Sequence, residues 1–330
     1  MQQRVIKIIL PDKLKDPALE VLHAQEKIHC WLEETNSSNT VIGALTDFGH
    51  TESIMDIFER KFGKEEGFKL IVFPVEASIP RPVEEKAEKE KPKKKKTSRI
   101  SREELYADIV GSTKTQKVYI IFVILSTIVA AIGLLHGNVA VIIGAMVIAP
   151  FLGPNVALAL STTLGDNQLR NDALKAIIAG FSIVIVLSFS MGYFFEVDPS
   201  IPEISSRTQA GLSDILLALA SGAAGVLAFT TGAPAVVIGV MVAVALLPPL
   251  TAFGLLLGSE DYTLAAGAFL LFLTNIICIN LAGVATFLLQ GVSPRTWWEA
   301  KKAKKATRKT MVIWIITLGF LVMVILLWSR

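Results

Sequence analysis

The sequence predicts an α-helical integral membrane protein of about seven transmembrane helices, arranged as a 3+3 inverted repeat, with a small α+β domain in front of it. Three observations predict this. Of the 330 residues, 52% are hydrophobic and the mean hydropathy is +0.55, too apolar for a soluble chain of this size. The charge is segregated: Lys and Glu crowd the chain before Lys117, Val118–Gln290 is nearly uncharged, and a basic segment follows. A stretch at Gly144–Asn155 is matched by one at Gly239–Leu250, 95 positions later, and each carries Pro and Gly in the middle of an apolar run. With charge so localised, the formal net charge of +3 says little about partners.

Residues 1–76 read as a soluble cytoplasmic domain. Arg4–Leu10 is a β-rich run ended by Pro11. Asp16–Lys27 shows helical spacing, with Ala18, Leu19 and Leu22 on one face and Asp16-Pro17 as its start. Ile28–Glu34 alternates as a strand, Asn36–Asn39 is a turn, and Thr40–Thr46 is a second strand. Thr51–Phe62 is amphipathic, with Ile54, Ile57, Phe58 and Phe62 together and Gly63 closing it. Lys69–Val75 is the last strand. The order β-α-β-β-α-β is that of the ferredoxin-like α+β fold, which by itself does not choose between ligand binding, partner binding and dimerisation. His23 and His29 read as solvated surface, and Cys30 and Cys278 as free thiols, since none has a metal-ligand spacing. No signal peptide is visible, so the first membrane helix would direct insertion.

Residues 77–116 form a charged linker and an interfacial helix. Pro80, Pro82 and Pro92 alternate with Glu and Lys, and Lys93–Lys96 is a basic block. A solvated tether explains this composition, and contact with anionic lipid is compatible with it because the run leads to a membrane helix. No aromatic or motif context supports nucleic-acid binding. In Ile100–Val110, Ser101 and Glu104 fit a capping box.

Seven apolar runs follow, at about 117–135, 139–163, 173–195, 212–231, 234–257, 263–290 and 310–328. Lys114 and Lys117 precede the first; Arg170 and Lys175 lie between the second and third. The loop 291–309 carries Arg295, Lys301, Lys302, Lys304, Lys305, Arg308 and Lys309, another surface for anionic lipid through Lys301–Lys305. Acidic residues mark 196–211 and 258–262. The excess of basic residues on one side predicts a multi-pass inner (plasma) membrane protein with the N-terminus cytoplasmic and the C-terminus outside. The short connections 136–138 and 231–233 read either as loops or as helix breaks.

An ungapped shift of 95 aligns the halves. Gly137 meets Gly232, Gly144 meets Gly239, Met146 meets Met241, Pro154 meets Pro249 and Asp166 meets Asp261, among matches at more than a third of positions 137–173. Residues 117–195 are therefore repeat 1, residues 196–290 repeat 2, and 291–330 a basic loop with a C-terminal span outside the repeat. Three spans per copy make the second copy inverted, a pattern of many secondary transporters.

Several stretches resemble one prokaryotic membrane family. They are Val72–Ser78, Ile100–Asp108, Gly144–Pro154, Ser221–Gly225, Gly239–Pro249 and Leu273–Ile276, and the family they resemble is that of domain of unknown function 389. The resemblance runs from the N-terminal domain to about residue 290. It implies an inner-membrane protein with a cytoplasmic N-terminal domain and leaves the function to be argued from the residues.

Chemistry is expected at the proline breaks. Pro150 and Pro154 lack an N–H, and each ring blocks the carbonyl one turn back. In lipid such breaks persist where protein or a water-filled cavity covers them; freed carbonyls can hold a cation, and half-helix N-termini can face an anion. The expected substrate-binding residues are Pro150, Gly153, Pro154 and Asn155 from one half, and Pro248, Pro249, Thr274, Asn275 and Asn280 from the other. The two breaks should meet near the midplane, beside the sixth span. Buried Asn has two readings, interhelical hydrogen bonding and substrate contact. Ser161, Thr162 and Thr163 read as packing residues bonded to their own helix. Ala220, Gly222, Ala224 and Gly225 read as close packing or as a homo-oligomer contact.

No Asp, Glu, Lys or Arg lies deep in any run. That disfavours a proton relay, an intramembrane metal site and acid–base catalysis, so neither an enzyme nor a cofactor is expected. The leading expectation is a transporter or channel for a small neutral or zwitterionic solute or an ion, with the N-terminal domain regulating it. The alternative is a membrane-anchored sensor or scaffold whose N-terminal domain binds a ligand or partner.

Overall fold

The computed structural model describes residues 3–25, 28–33, 39–75, 78, 100–113, 117–231, 235–292 and 297–328, in two compact units that divide at Tyr106–Ala107. Lys93–Lys96 and the connection 232–234 lie outside the described residues, as do the side chains of Lys301–Lys305.

The first unit is a four-stranded antiparallel sheet with two helices on one face. Its elements run β1 (Gln3–Pro11), α1 (Lys15–His23), β2 (His29–Glu33), β3 (Asn39–Asp47), α2 (Phe48–Phe62) and β4 (Lys69–Pro74). The sheet order is β2-β3-β1-β4, with all neighbours antiparallel. Strict alternation in β1 turns Ile6, Ile8 and Leu10 onto the buried face. There they meet Ala18, Val21 and Leu22 of α1 and Ile54, Phe58 and Phe62 of α2, the last three at four-residue spacing on one helical face. Two boundaries differ from expectation. A 3₁₀ turn at Asp12–Leu14 runs straight into α1, so the helix starts at Lys15 and Asp16 lies within its first turn rather than capping it. α2 begins at Phe48, three residues earlier than the periodicity suggested. Cys30 and Cys278 are free, and Cys30 Sγ lies 3.7 Å from His23 Nε2 at the surface. The helix α3 (Arg102–Thr113) spans the boundary between the units. Its start is capped as the sequence proposed: the Glu104 amide donates to Ser101 Oγ at 3.2 Å.

The second unit is all helical. It contains α4 (Lys117–Leu135), α5 (Val139–Ile148), α6 (Leu152–Leu164), α7 (Asn167–Phe194), the one-turn α8 (Pro202–Ser205), α9 (Leu212–Thr231), α10 (Ala235–Gly258), α11 (Tyr262–Leu289) and α12 (Trp297–Trp328). Among the described residues, five helices are long and apolar enough to cross a membrane: α4, α7, α9, α11 and the Thr307–Ile325 part of α12. The pair α5–α6 makes a sixth span bent by 53°. α10, the remaining run read from the sequence, is a 24-residue helix. Large apolar side chains face outward around the bundle; Ile178 is 63% exposed and Ile316 65%. Such a surface suits hydrocarbon and not water. The turn between α4 and α5 is a true connection. Gly137 takes φ +60°, and Asn138 caps α5 by accepting from the Val141 amide at 3.2 Å.

Two expectations are corrected here. The segment 291–309 is not a loop throughout, because α12 is helical from Trp297; the Ala-Lys-rich run after Pro294 contains neither Pro nor Gly to stop it. The prolines also do not break both halves. The first half breaks between Ile148 and Leu152, where Ala149, ahead of Pro150, is forced extended at ψ 122°. In the second half, Pro248 and Pro249 lie inside the continuous α10. The equivalent of Pro150 there is Ala245, so only one of the two spaced prolines is retained.

Glycines set how closely the helices approach. A Cβ on Gly222 of α9 would fall 2.7 Å from the Ile279 Cα of α11, and one on Gly254 of α10 would fall 2.8 Å from the Ser188 Cβ of α7. The contact register gives helix directions. Ser188 meets Gly254 and, one turn on, Tyr193 meets Gly258, so α7 and α10 run the same way. Asn155 meets Asn280 and Ala159 meets Gly283, so α6 and α11 also run alike. Ala245 meets Asn275 and Phe253 meets Phe269, so α10 and α11 run oppositely.

Candidate functional site

The buried polar side chains of the helical unit are hydroxyls and amides, among the described residues. Most hydroxyls are spent on their own helix. Thr127 donates to Val123 O, Thr162 to Leu158 O, Ser188 to Val184 O, Thr251 to Leu247 O and Thr286 to Ala282 O, at 2.6–2.8 Å. Thr274, an expected site residue, does the same with Leu270 O at 2.8 Å. The asparagines behave differently, because their side chains reach across between helices.

Asn155, in the first turn of α6 just after the break, is 1% exposed. Its Nδ2 donates to Phe151 O at 2.8 Å, the carbonyl that opens the helix. Its Oδ1 accepts from Asn280 Nδ2 of α11 at 3.2 Å, and the same Nδ2 also donates to Ile276 O at 2.9 Å. Asn275, one and a third turns earlier on α11, donates from Nδ2 to Ala245 O of α10 at 2.8 Å. Pro249 has no amide to offer that carbonyl, so Asn275 supplies the missing donor. α11 therefore holds one amide against each proline region. Asn280 Oδ1 and Asn275 Oδ1 are buried and accept no hydrogen bond among the described residues. Each such oxygen costs about 1–3 kcal/mol if nothing donates to it or coordinates it.

The remaining expected residues frame this arrangement. Pro150 is half-buried in the turn, and Gly153 and Pro154 are buried in the first turn of α6. A Cβ on Gly153 would come within 2.5 Å of Ser112 Oγ, so only glycine lets α3 cover the start of α6. Pro150 and Pro154 leave the carbonyls of Met146 and Pro150 without the amide four residues on. Pro248 and Pro249 are buried within α10.

Sequence reasoning passed over three features. Tyr119 Oη donates to Ala176 O at 2.8 Å, against Gly180, which the shift of 95 aligns with Asn275. A run of rings leads from the break across three helices: Phe151–Phe181 at 5.5 Å, Phe181–Phe272 at 4.8 Å edge to face, Phe272–Phe269 at 6.3 Å and Phe269–Phe253 at 4.9 Å. Thr307 Oγ1 donates to Thr162 O at 2.7 Å and ties α12 to α6. Period alone could not separate these from lipid-facing aromatics and ordinary hydroxyls.

The family model described as Domain of unknown function (DUF389) matches residues 146–281. An uncharacterized protein of Methanocaldococcus jannaschii is 37% identical over 282 residues, covering 86% of this chain and 86% of that one. The chain belongs to the DUF389 family. The DUF389 match opens at Met146 and closes one residue after Asn280, so it contains all the expected site residues from Pro150 to Asn280. No solved structure matches the chain.

Proposed function

We propose that the protein is an inner-membrane transporter or channel for a small neutral or zwitterionic solute or an ion, with its site where α11 meets the two proline regions. The observation that carries this reading is the Asn155–Asn280 hydrogen bond, a buried amide pair that joins the broken α5–α6 span to α11. A polar contact of this kind beside interrupted backbone is the usual construction of a transporter's midplane site.

The inverted repeat supports it. Under the shift of 95, Ser188 and Gly254 correspond to Gly283 and Ala159, and both pairs touch. Gly222 and Ile279 correspond to Thr127 and Val184, both fully buried on α4 and α7. Equivalent spans run oppositely, since α6 parallels α11 while α10 opposes it. The basic and acidic loops favour a cytoplasmic N-terminus and an external C-terminus. The strand order β2-β3-β1-β4 with both helices on one face supports a ferredoxin-like reading of the N-terminal unit, to which we assign a regulatory role. Anionic lipid at the basic segments and homo-oligomerisation belong to the same proposal; catalysis does not.

The test is flux. Purified protein in liposomes is offered a broad panel of solutes and ions; uptake of at least one, reduced in Pro154→Ala and Asn275→Ala, is expected. No uptake of any panel member, with both variants silent in cells that need the protein, removes the transport reading.

A further inference from the structure

We propose that the free amide oxygens of Asn280 and Asn275 coordinate a monovalent cation, an inference that rests on the transport reading for its placement on the permeation path. The argument begins with which way the amides point. Asn155 Nδ2 faces Phe151 O, and Asn280 Nδ2 faces both Ile276 O and Asn155 Oδ1. All are acceptors, so turning either amide over would set oxygen against oxygen. Asn275 is fixed in the same way by Ala245 O. The hydrogen-bond polarity therefore runs in one direction and ends on two oxygens, Asn280 Oδ1 and Asn275 Oδ1, that are buried and unpaired among the described residues.

The surrounding chemistry selects the ligand. Asn280 Nδ2 spends both its hydrogens on acceptors, so that amide has only its oxygen to offer a ligand; Asn155 Nδ2 and Asn275 Nδ2 each spend one on a carbonyl. The carbonyls of Met146 and Pro150, without an amide four residues on, and that of Val244, one turn before Pro248, are further acceptors in the two proline regions that α11 packs against. A set made of neutral acceptors fits a bare cation better than a solute that carries donors and acceptors together. The buried polar side chains of this unit include no carboxylate among the described residues, and divalent cations need carboxylates. Neutral oxygens suffice for a singly charged ion, as rings of carbonyls show in selective channels. Five residues of helix set the two side chains about 7.5 Å apart along the α11 axis and about 140° apart around it, so each oxygen is assigned to hold an ion in turn and not jointly.

The experiment uses the full-length protein in nanodiscs. Its thermal unfolding midpoint is followed as LiCl, NaCl or KCl replaces N-methyl-D-glucamine chloride at constant ionic strength. The expected result is a saturable rise with at least one alkali cation. Asn280→Asp should lower the half-saturating concentration about tenfold, and Asn280→Leu and Asn275→Leu should raise it about tenfold or abolish the effect. A wild-type midpoint indifferent to alkali cations overturns the inference. So does a rise that all three variants leave unchanged. If the leucine variants do not fold, wild type and Asn280→Asp decide. Flux assayed alongside separates the two readings. A cation-dependent midpoint without flux of any solute or ion keeps the cation site and removes transport. Flux with no cation dependence of either flux or midpoint keeps transport and removes the cation site.

Discussion

Asn275 donates its side-chain amide to the carbonyl oxygen of Ala245 at 2.8 Å, the carbonyl that Pro249, four residues on, leaves without a backbone partner. The proline and the asparagine lie on different helices and answer each other. Asn275→Ala should destabilise the protein by about 1–3 kcal/mol, because it strands a buried acceptor. Pro249→Ala restores an amide at that position, so the same Asn275→Ala change should cost less in that background. Unfolding of the four variants in detergent should give a coupling of about 1 kcal/mol. Strict additivity would show that the two residues do not share the carbonyl.

Close helix contacts make a second prediction. Gly222→Ala pushes a methyl group against the Ile279 backbone and should cost about 1–3 kcal/mol. Gly144→Ala, inside α5, meets nothing within 4 Å and should stabilise the protein by about 0.5–1 kcal/mol through helix propensity. Thermal unfolding of the two variants side by side checks this, and equal effects would refute the assigned packing.

The attachment of α12 makes a third. Thr307→Val removes the hydrogen bond to Thr162 O while keeping the side-chain shape. It should weaken docking of α12 on α6 by about 0.5–1.5 kcal/mol. Hydrogen exchange should then quicken in α12 and stay unchanged in α9; uniform behaviour across both would show that the bond does not hold α12 in place.

Topology makes a fourth. Single cysteines at Ser259 and Lys302, in a background lacking Cys30 and Cys278, should react with a membrane-impermeant thiol reagent from opposite sides. Labelling of both from one side in intact cells would refute the proposed orientation.

Much of this was legible in the chain. Apolar runs fixed where the spans lie, since every backbone group in lipid must bond within its own helix. Alternation in β1 and the four-residue spacing of Ile54, Phe58 and Phe62 fixed the core of the N-terminal unit. Boundaries were less legible. α12 continues upstream through a basic segment that charge alone marked as loop, because helix propensity does not read charge sign.

The site divides in the same way. The sequence by itself determined that Pro150, Pro154, Pro248 and Pro249 interrupt amide hydrogen bonding and that asparagines lie nearby, because a missing N–H is a property of the residue. Only the tertiary structure decided that the α5–α6 span bends by 53° while α10 stays continuous. It alone placed Asn275 on the carbonyl released by Pro249 and Asn280 on Asn155. The reason is physical: a proline states which carbonyl is left open, but whether the helix breaks there depends on whether a neighbouring helix brings a donor to close it.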